Sequence, residues 1–218
     1  MDAHRSPRGR ATRDQLVAIA TRLFAERGYE GASIGAVLDE SGLSKGALYH
    51  HFDGKDALFA AVLESVEADI SRKLARAAAD APDPRAALHA GCLAWVRLAG
   101  DPVVRRIVLI DAPSVLGWQR WREIEERYGF GMVKTALRAV ADQGTLPADL
   151  VDPFAHMLLA ALNETALTVA RSADRPAATK TAESAVTELL ARLLPEGPAP
   201  AAGRGRDVRR PREGGSRG

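Results

Sequence analysis

The 218-residue sequence contains a single cysteine, no apolar run approaching a membrane span, and no internal repeat. Cys92 has no intrachain partner, which excludes a disulfide scaffold and favours a reducing compartment. A membrane helix needs roughly 20 consecutive apolar residues, and no such stretch is present. The opening "MDAHRSPRGR" has no apolar core behind its charges, so a secretory signal is not expected and the protein is read as soluble and cytoplasmic. β-Branched residues are outweighed by alanine and leucine, a balance that favours helix over sheet. Histidines are few and badly placed for metal. His50 and His51 are adjacent, so on a helix they point about 100° apart, and His4, His89 and His156 supply no neighbouring ligand. Neither a metal nor a cofactor is expected.

Charge is present but unevenly distributed. Residues 1–13 and 196–218 each carry +3, which leaves −4 on residues 14–195 of a chain whose net charge is +2. A basic segment at each end of an acidic body suits contact with a polyanion, or alternatively two solvated tails. After Pro195 the Pro/Gly/Ala/Arg composition reads as a disordered tail.

Between the tails the periodicity is helical throughout. Thr12 and Gln15 have capping-box spacing ahead of Leu16, Ile19, Leu23 and Phe24, and Gly28 should end that first helix. Ser33 and Ser44 are positioned to cap two short helices, with Gly42 free to turn between them. Gly54 precedes a long fourth helix carrying Leu58, Val62, Val66, Ile70 and Leu74 at steps of four. "APDP" at 81–84 and "GTLPADLVDP" are loops. The apolar segment 102–112 suits a helix or a buried strand, and helices follow over Trp118–Gln143, Phe154–Ser172 and Pro176–Leu194. The expected fold is all-α, with about nine helices.

Residues 42–55, "GLSKGALYHHFDGK", are too polar for a core helix of this length. No serine, cysteine or carboxylate is placed to form a catalytic relay with the histidines. If Leu48 and Phe52 point inward with Ile34, Val37, Leu38 and Leu43, then Gly46 and His50 face outward, flanked by Ala47 and Tyr49. That face has a small centre and a polar rim, so another surface could approach the backbone closely. Helix N-termini at Ser33 and Ser44 offer hydroxyls and free N–H groups suited to phosphate. The pattern fits a helix-turn-helix whose second helix enters the major groove, or an ordinary helical hairpin with a solvated face.

Residues 12–59 as a whole resemble the DNA-binding domain of the TetR family of transcriptional regulators. The matching segments are "LFAERGYEGAS", "IGAVLDESGLSKGALYHHF" and "GKDAL". The resemblance implies that Ser33 and Ser44 hold phosphates and that Lys45, Gly46 and Ala47 face bases. Tyr49, His50 and His51 would meet backbone or thymine methyls, and Lys55 would clamp a phosphate. Ala47 stands where relatives carry a polar residue, so direct readout is thin and DNA shape contributes.

The resemblance further implies four segments. These are a disordered basic arm over 1–11, a helix-turn-helix domain over 12–58, an effector-binding and dimerisation domain over 59–195, and the tail over 196–218. Dimerisation would use the last two helices, with Phe154, Leu158, Leu162 and Val169 and with Val186, Leu189, Leu190 and Leu193 buried against a partner; by themselves these residues fit the core of a monomeric bundle equally well. Trp95, Trp118, Trp121, Tyr128, Asp111 and Asn163 are candidate contacts for a small, mainly apolar or aromatic effector. Asp111, within "RIVLIDAP", would need a partner if buried.

The expected function is a homodimeric repressor on a palindromic, double-stranded operator, released by the effector, with no membrane contact. The alternative is a non-specific architectural DNA-binding protein. An enzyme using His89, His156 and Asp111 is a weaker reading, because nothing in the sequence places the three together.

Overall fold

The computed structural model describes residues 7–195; the Arg-rich tail and the first six residues, including Arg5, lie outside the described residues. Nine helices and no strand occur among the described residues. They are α1 (Pro7–Gly31), α2 (Ile34–Ser41), α3 (Lys45–His51), α4 (Lys55–Ala78), α5 (Pro84–Leu98), α6 (104–115), α7 (117–141), α8 (Val151–Arg171) and α9 (Arg175–Leu193). None of them is long and apolar enough to cross a membrane.

The capping chemistry of the first four helices follows the sequence closely. The backbone N–H of Ala36 donates to Ser33 Oγ at 3.1 Å, and that of Ala47 donates to Ser44 Oγ at 3.2 Å. Gly42 takes a left-handed conformation (φ 67°), and its N–H donates to the Leu38 carbonyl at 3.0 Å. Thr12, however, is not a cap. The first helix begins at Pro7, so Thr12 lies inside it and its hydroxyl donates to the Arg8 carbonyl at 3.0 Å. The helix therefore runs through Arg8 and Arg10, into the segment expected to be a disordered arm. Pro7 explains the earlier start, since proline is well suited to the first helical turn.

Two stretches depart from α-helical winding. Val104–Asp111 in α6 and Glu126–Phe130 in α7 are π-helical, with one more residue per hydrogen-bonded turn. Segment 102–112 is thus helical rather than a strand. Its wider winding redistributes side chains that a period of 3.6 would place on one stripe.

Two apolar cores result. The first is built by Leu16, Leu23, Phe24, Val37, Leu48, Phe52, Leu58 and Phe59, and it continues into Val104, Ile107 and Ala112 of α6 and Ile124 of α7. The helix-turn-helix unit shares this core with α6 and α7, so residue 58 marks no break in packing. The second core joins α5, α7, α8 and α9 through Leu88, Val96, Leu137, Val151, Leu158, Val169, Val186 and Leu190.

That second core corrects the expected division of apolar residues on the last two helices. Leu158, Leu162, Val169, Val186 and Leu190 are buried within the chain itself, against α5 and α7. Phe154 and Leu193 pack partly against the same core, and only Leu189 of the named set is exposed. Periodicity reports that a stripe is buried and cannot say whether the covering surface belongs to the same chain.

α1 and α6 meet through one polar contact. Asp111 is the one buried charged or polar residue among those described, and its Oδ2 accepts from the Tyr29 backbone N–H at 2.8 Å and from Arg106 Nε at 3.1 Å. Gly28, just before that N–H, sits at φ 72°, ψ 171°, a region open in practice to glycine alone. A Cβ at residue 28 would also collide with the Arg106 guanidinium. Gly28→Ala should therefore lower unfolding free energy by roughly 1–3 kcal/mol in a urea titration. An unchanged midpoint would show that this backbone bend is not required.

Candidate nucleic-acid interface and interior cavity

The outward face of α3 is built by what anchors its other side. Leu48 is fully buried and Phe52 nearly so, which turns Lys45, Gly46, Tyr49 and His50 to solvent. Ala47 and His51 are half-buried at its margins. Lys45 Nζ lies 5.7 Å from the centre of the Tyr49 ring. A Cβ added at Gly46 would meet nothing within 4 Å, so glycine is not needed there for folding. Ser33 and Ser44 are both exposed at the N-termini of α2 and α3. Lys55 projects from the start of α4 with Nζ 4.1 Å above the Tyr29 ring, and the Tyr29 hydroxyl donates to Asp56. Burial, followed by the hydrogen bond to Asp56, pushes the Tyr29 phenol up to about 12.

All nine sequence-predicted nucleic-acid residues thus lie on α2, α3 and the α4 N-terminus or at their caps. The imidazoles of His50 and His51 are 5.2 Å apart and inclined at 69°, and no cluster of potential metal ligands occurs among the described residues. Lysine, exposed tyrosine and histidine around a small-residue centre can meet phosphates at the rim and let base edges approach the helix axis.

A second feature lies inside the larger helical domain. A cavity of about 300 Å³, partly open to solvent, is lined by α4, α5, α6, α7 and α8. Trp95, Trp121 and Asn163, three of the candidate effector contacts, line it. The Trp95 indole N–H donates to the Leu162 carbonyl at 3.3 Å, which fixes the ring against the wall. Tyr128 packs instead against the first core, and Asp111 is engaged with Tyr29 and Arg106 rather than facing the cavity. The side chain of Trp118 lies outside the described residues. His89 meets Thr187 at 2.9 Å and His156 stacks on Phe130 at 4.2 Å, so the three groups considered for catalysis serve three different contacts.

The cavity also holds two carboxyls that sequence reading missed, Glu67 of α4 and Glu125 of α7. Asn163 Nδ2 donates to Glu125 Oε1 at 2.6 Å, and Arg122 lies 3.4 Å from Glu125 Oε2. Glu67 has no such partner among the described residues. Its carboxyl is half-buried against the apolar wall, and that desolvation, aided by the nearby Glu125, pushes it up to about 7. Burial raises Glu125 as well, against the opposing pull of Asn163 and Arg122. Periodicity held a signal for both. Glu67 falls on the stripe Leu63, Ile70, Leu74, and Glu125 lies four residues after Trp121 and seven before Met132.

The raised Glu67 carboxyl makes stability depend on pH. From the ordinary glutamate range up to about 7, the folded chain keeps a proton that the unfolded chain has released, so stability falls as pH rises through that window. Glu67→Gln should be stabilised by about 2 kcal/mol at pH 8, with the gain vanishing near pH 4. Thermal unfolding of both proteins across pH checks this, and a constant difference would contradict it.

Comparisons with known proteins bear on both features. Residues 71–193 match the family described as tetracyclin repressor-like, C-terminal domain, and residues 16–62 match that of bacterial regulatory proteins, tetR family. The transcriptional repressor KstR2 of Rhodococcus jostii is 37% identical over 78 residues, which is 36% of this chain and 38% of that relative. The matched region therefore spans well under two thirds of the relative's length. Among solved structures, a TetR-family regulator from Pectobacterium atrosepticum is 29% identical with a TM-score of 0.76, covering 88% of this chain and 99% of that one. FadR of Bacillus subtilis, solved with stearoyl-CoA, is 18% identical with a TM-score of 0.68, covering 81% and 96%, which speaks to the fold alone.

Proposed function

The chain belongs to the tetR family of bacterial regulatory proteins, and on that premise we propose that it is a cytoplasmic, sequence-specific DNA-binding repressor. It acts as a homodimer on a palindromic operator and is released when a small, mainly apolar molecule enters the interior cavity. The observation that carries the reading is the asymmetry of α3, with Leu48 and Phe52 committed to the core and Lys45, Gly46, Tyr49 and His50 turned outward. A solvated surface helix has no need of a glycine at the centre of its exposed face. A helix whose backbone must come close to base edges does.

In this reading Ser33, Ser44 and Lys55 hold phosphates, Lys45, Gly46 and Ala47 face bases, and Tyr49, His50 and His51 flank them. Pairing of two chains through α8 and α9 is supported by the exposed Met157 and Leu189, which the chain's own core leaves uncovered. Two-fold pairing presents two copies of α3 to successive major grooves. Effector action is a population shift, in which the ligand binds more tightly to the spacing of reading heads that does not fit DNA.

Fluorescence anisotropy with DNA from upstream of the protein's own gene tests the assignment. Binding should be specific and weaken steeply with salt. Equal affinity for random DNA would instead favour an architectural role. Gly46→Ala separates fold from function. It should match or exceed the parent in thermal stability, since alanine is favoured in helices by about 1 kcal/mol. Operator affinity should nevertheless fall by roughly ten-fold or more, on the scale of one lost base contact. Lys45→Ala should weaken binding and also alter sequence preference, whereas Lys55→Ala should weaken all sequences alike and reduce the salt slope.

A further inference from the structure

The interior cavity carries more information about its occupant than its apolar walls suggest. Its lining includes no lysine, arginine or histidine. Among the described residues, the only ionisable oxygens that line it are the carboxyls of Glu67 and Glu125, beside the neutral Ser71 and Asn163. Glu125 is already held by Asn163 and Arg122, and the Trp95 N–H is committed to the Leu162 carbonyl. Glu67, half-buried, lines the cavity with no hydrogen-bond or ion-pair partner among the described residues. A carboxylate with no donor of its own, beside a second carboxyl, is costly to ionise, and an occupant that brings a positive charge offsets that cost. Trp95 and Trp121 offer aromatic surface on the same walls, which also favours a cation.

We propose that the effector is a lipophilic cation, an aromatic or alkyl amine or quaternary ammonium compound, whose charged nitrogen seats against Glu67. This deepens the regulatory reading given above and rests on it. The charge balance argues against anionic occupants such as fatty acids or acyl thioesters. A carboxylate or phosphate placed here would face Glu67 and Glu125 with no basic side chain among the lining residues.

Occupancy by a cation also expels a proton. With the cavity free of cation, Glu67 shares its surroundings with Glu125 and, behind it, Arg122 on α7, with the Cys92 thiol on α5, and with the uncharged Asn163 on α8. α6 contributes only Val108, Leu109 and Pro113 there. Cys92 is held protonated by burial, its thiol pushed up to about 12, so it does not compete in the neutral range. Glu67 is therefore the group that gives up a proton when a fixed positive charge arrives, and affinity for such a ligand rises as pH rises through neutrality.

Three probes of similar shape test the proposal on the full-length protein without DNA. These are benzyltrimethylammonium, its uncharged isostere neopentylbenzene, and the anion phenylacetate, each followed by tryptophan fluorescence and calorimetry. Benzyltrimethylammonium should bind roughly ten-fold more tightly than the isostere, with an affinity that increases from pH 6 to pH 8. Glu67→Gln should remove both the preference and the pH dependence. Equal binding of the cation and its isostere, tighter binding of phenylacetate, or no binding of any probe at millimolar concentration would overturn the assignment. If Glu67→Gln fails to fold, the comparison of the three probes on the parent protein still decides the question. Because these measurements contain no DNA, a protein that binds the cation yet ignores its operator would sink the regulatory reading alone.

Discussion

Asp111 is a carboxylate buried where α1 meets α6, and both its donors come from groups that could otherwise separate. One is the backbone N–H of Tyr29, freed by the bend at Gly28, and the other is the guanidinium of Arg106. A buried charge cannot be left with one partner, so the bend, the arginine and the acid have to be kept together. The position of the helix-turn-helix unit on the rest of the chain follows from this contact. The first core passes through it, from Phe24 and Phe59 on one side to Ile107 and Ala112 on the other.

The helix bearing Asp111 has a second duty. Val108 and Leu109 stand in the cavity wall, only a few residues before the acid that grips Tyr29. The segment is π-helical over Val104–Asp111, a winding less stable than an α-helix and found as short insertions. α7 repeats the arrangement, since Glu126–Phe130 is also π-helical and Glu125 and Gly129 border the same cavity. Both π-helical segments therefore border the cavity, and the one in α6 ends in the contact with Tyr29. α6 thus joins the cavity wall to the seat of α1 within a single turn.

How much of this was legible beforehand varied with the kind of interaction. Local chemistry was legible. Ser33 and Ser44 cap through their own hydroxyls, Gly42 and Gly54 adopt positive φ, and the residues of α3 divide into core and face as their spacing predicts. Non-local pairing was not. The sequence pointed to Asp111 as an acid in need of a partner; one partner, Arg106, stands five residues before it, but the other is a backbone N–H 82 residues away, which no periodicity encodes. Leu158, Leu162, Val186 and Leu190 were legible as buried but not as buried within one chain. Thr12 misled because a capping box is a spacing, and Pro7 supplied an earlier start. Glu67 and Glu125 were overlooked because charged residues on an apolar stripe are usually read as interruptions, when here they are the carboxyls of the cavity lining.

The freedom around Gly46 reaches beyond the present molecule. No atom of the protein stands within 4 Å of where its side chain would begin, and Lys45 and His50 beside it are likewise exposed. The residues proposed to face DNA bases are therefore uncoupled from those that keep the domain folded. Substitutions there can accumulate without eroding stability, so a duplicated copy of this gene could acquire a new binding site in the genome by changing a handful of codons. Leu48 and Phe52, one turn apart on the hidden side, would stay fixed while the readable surface drifts.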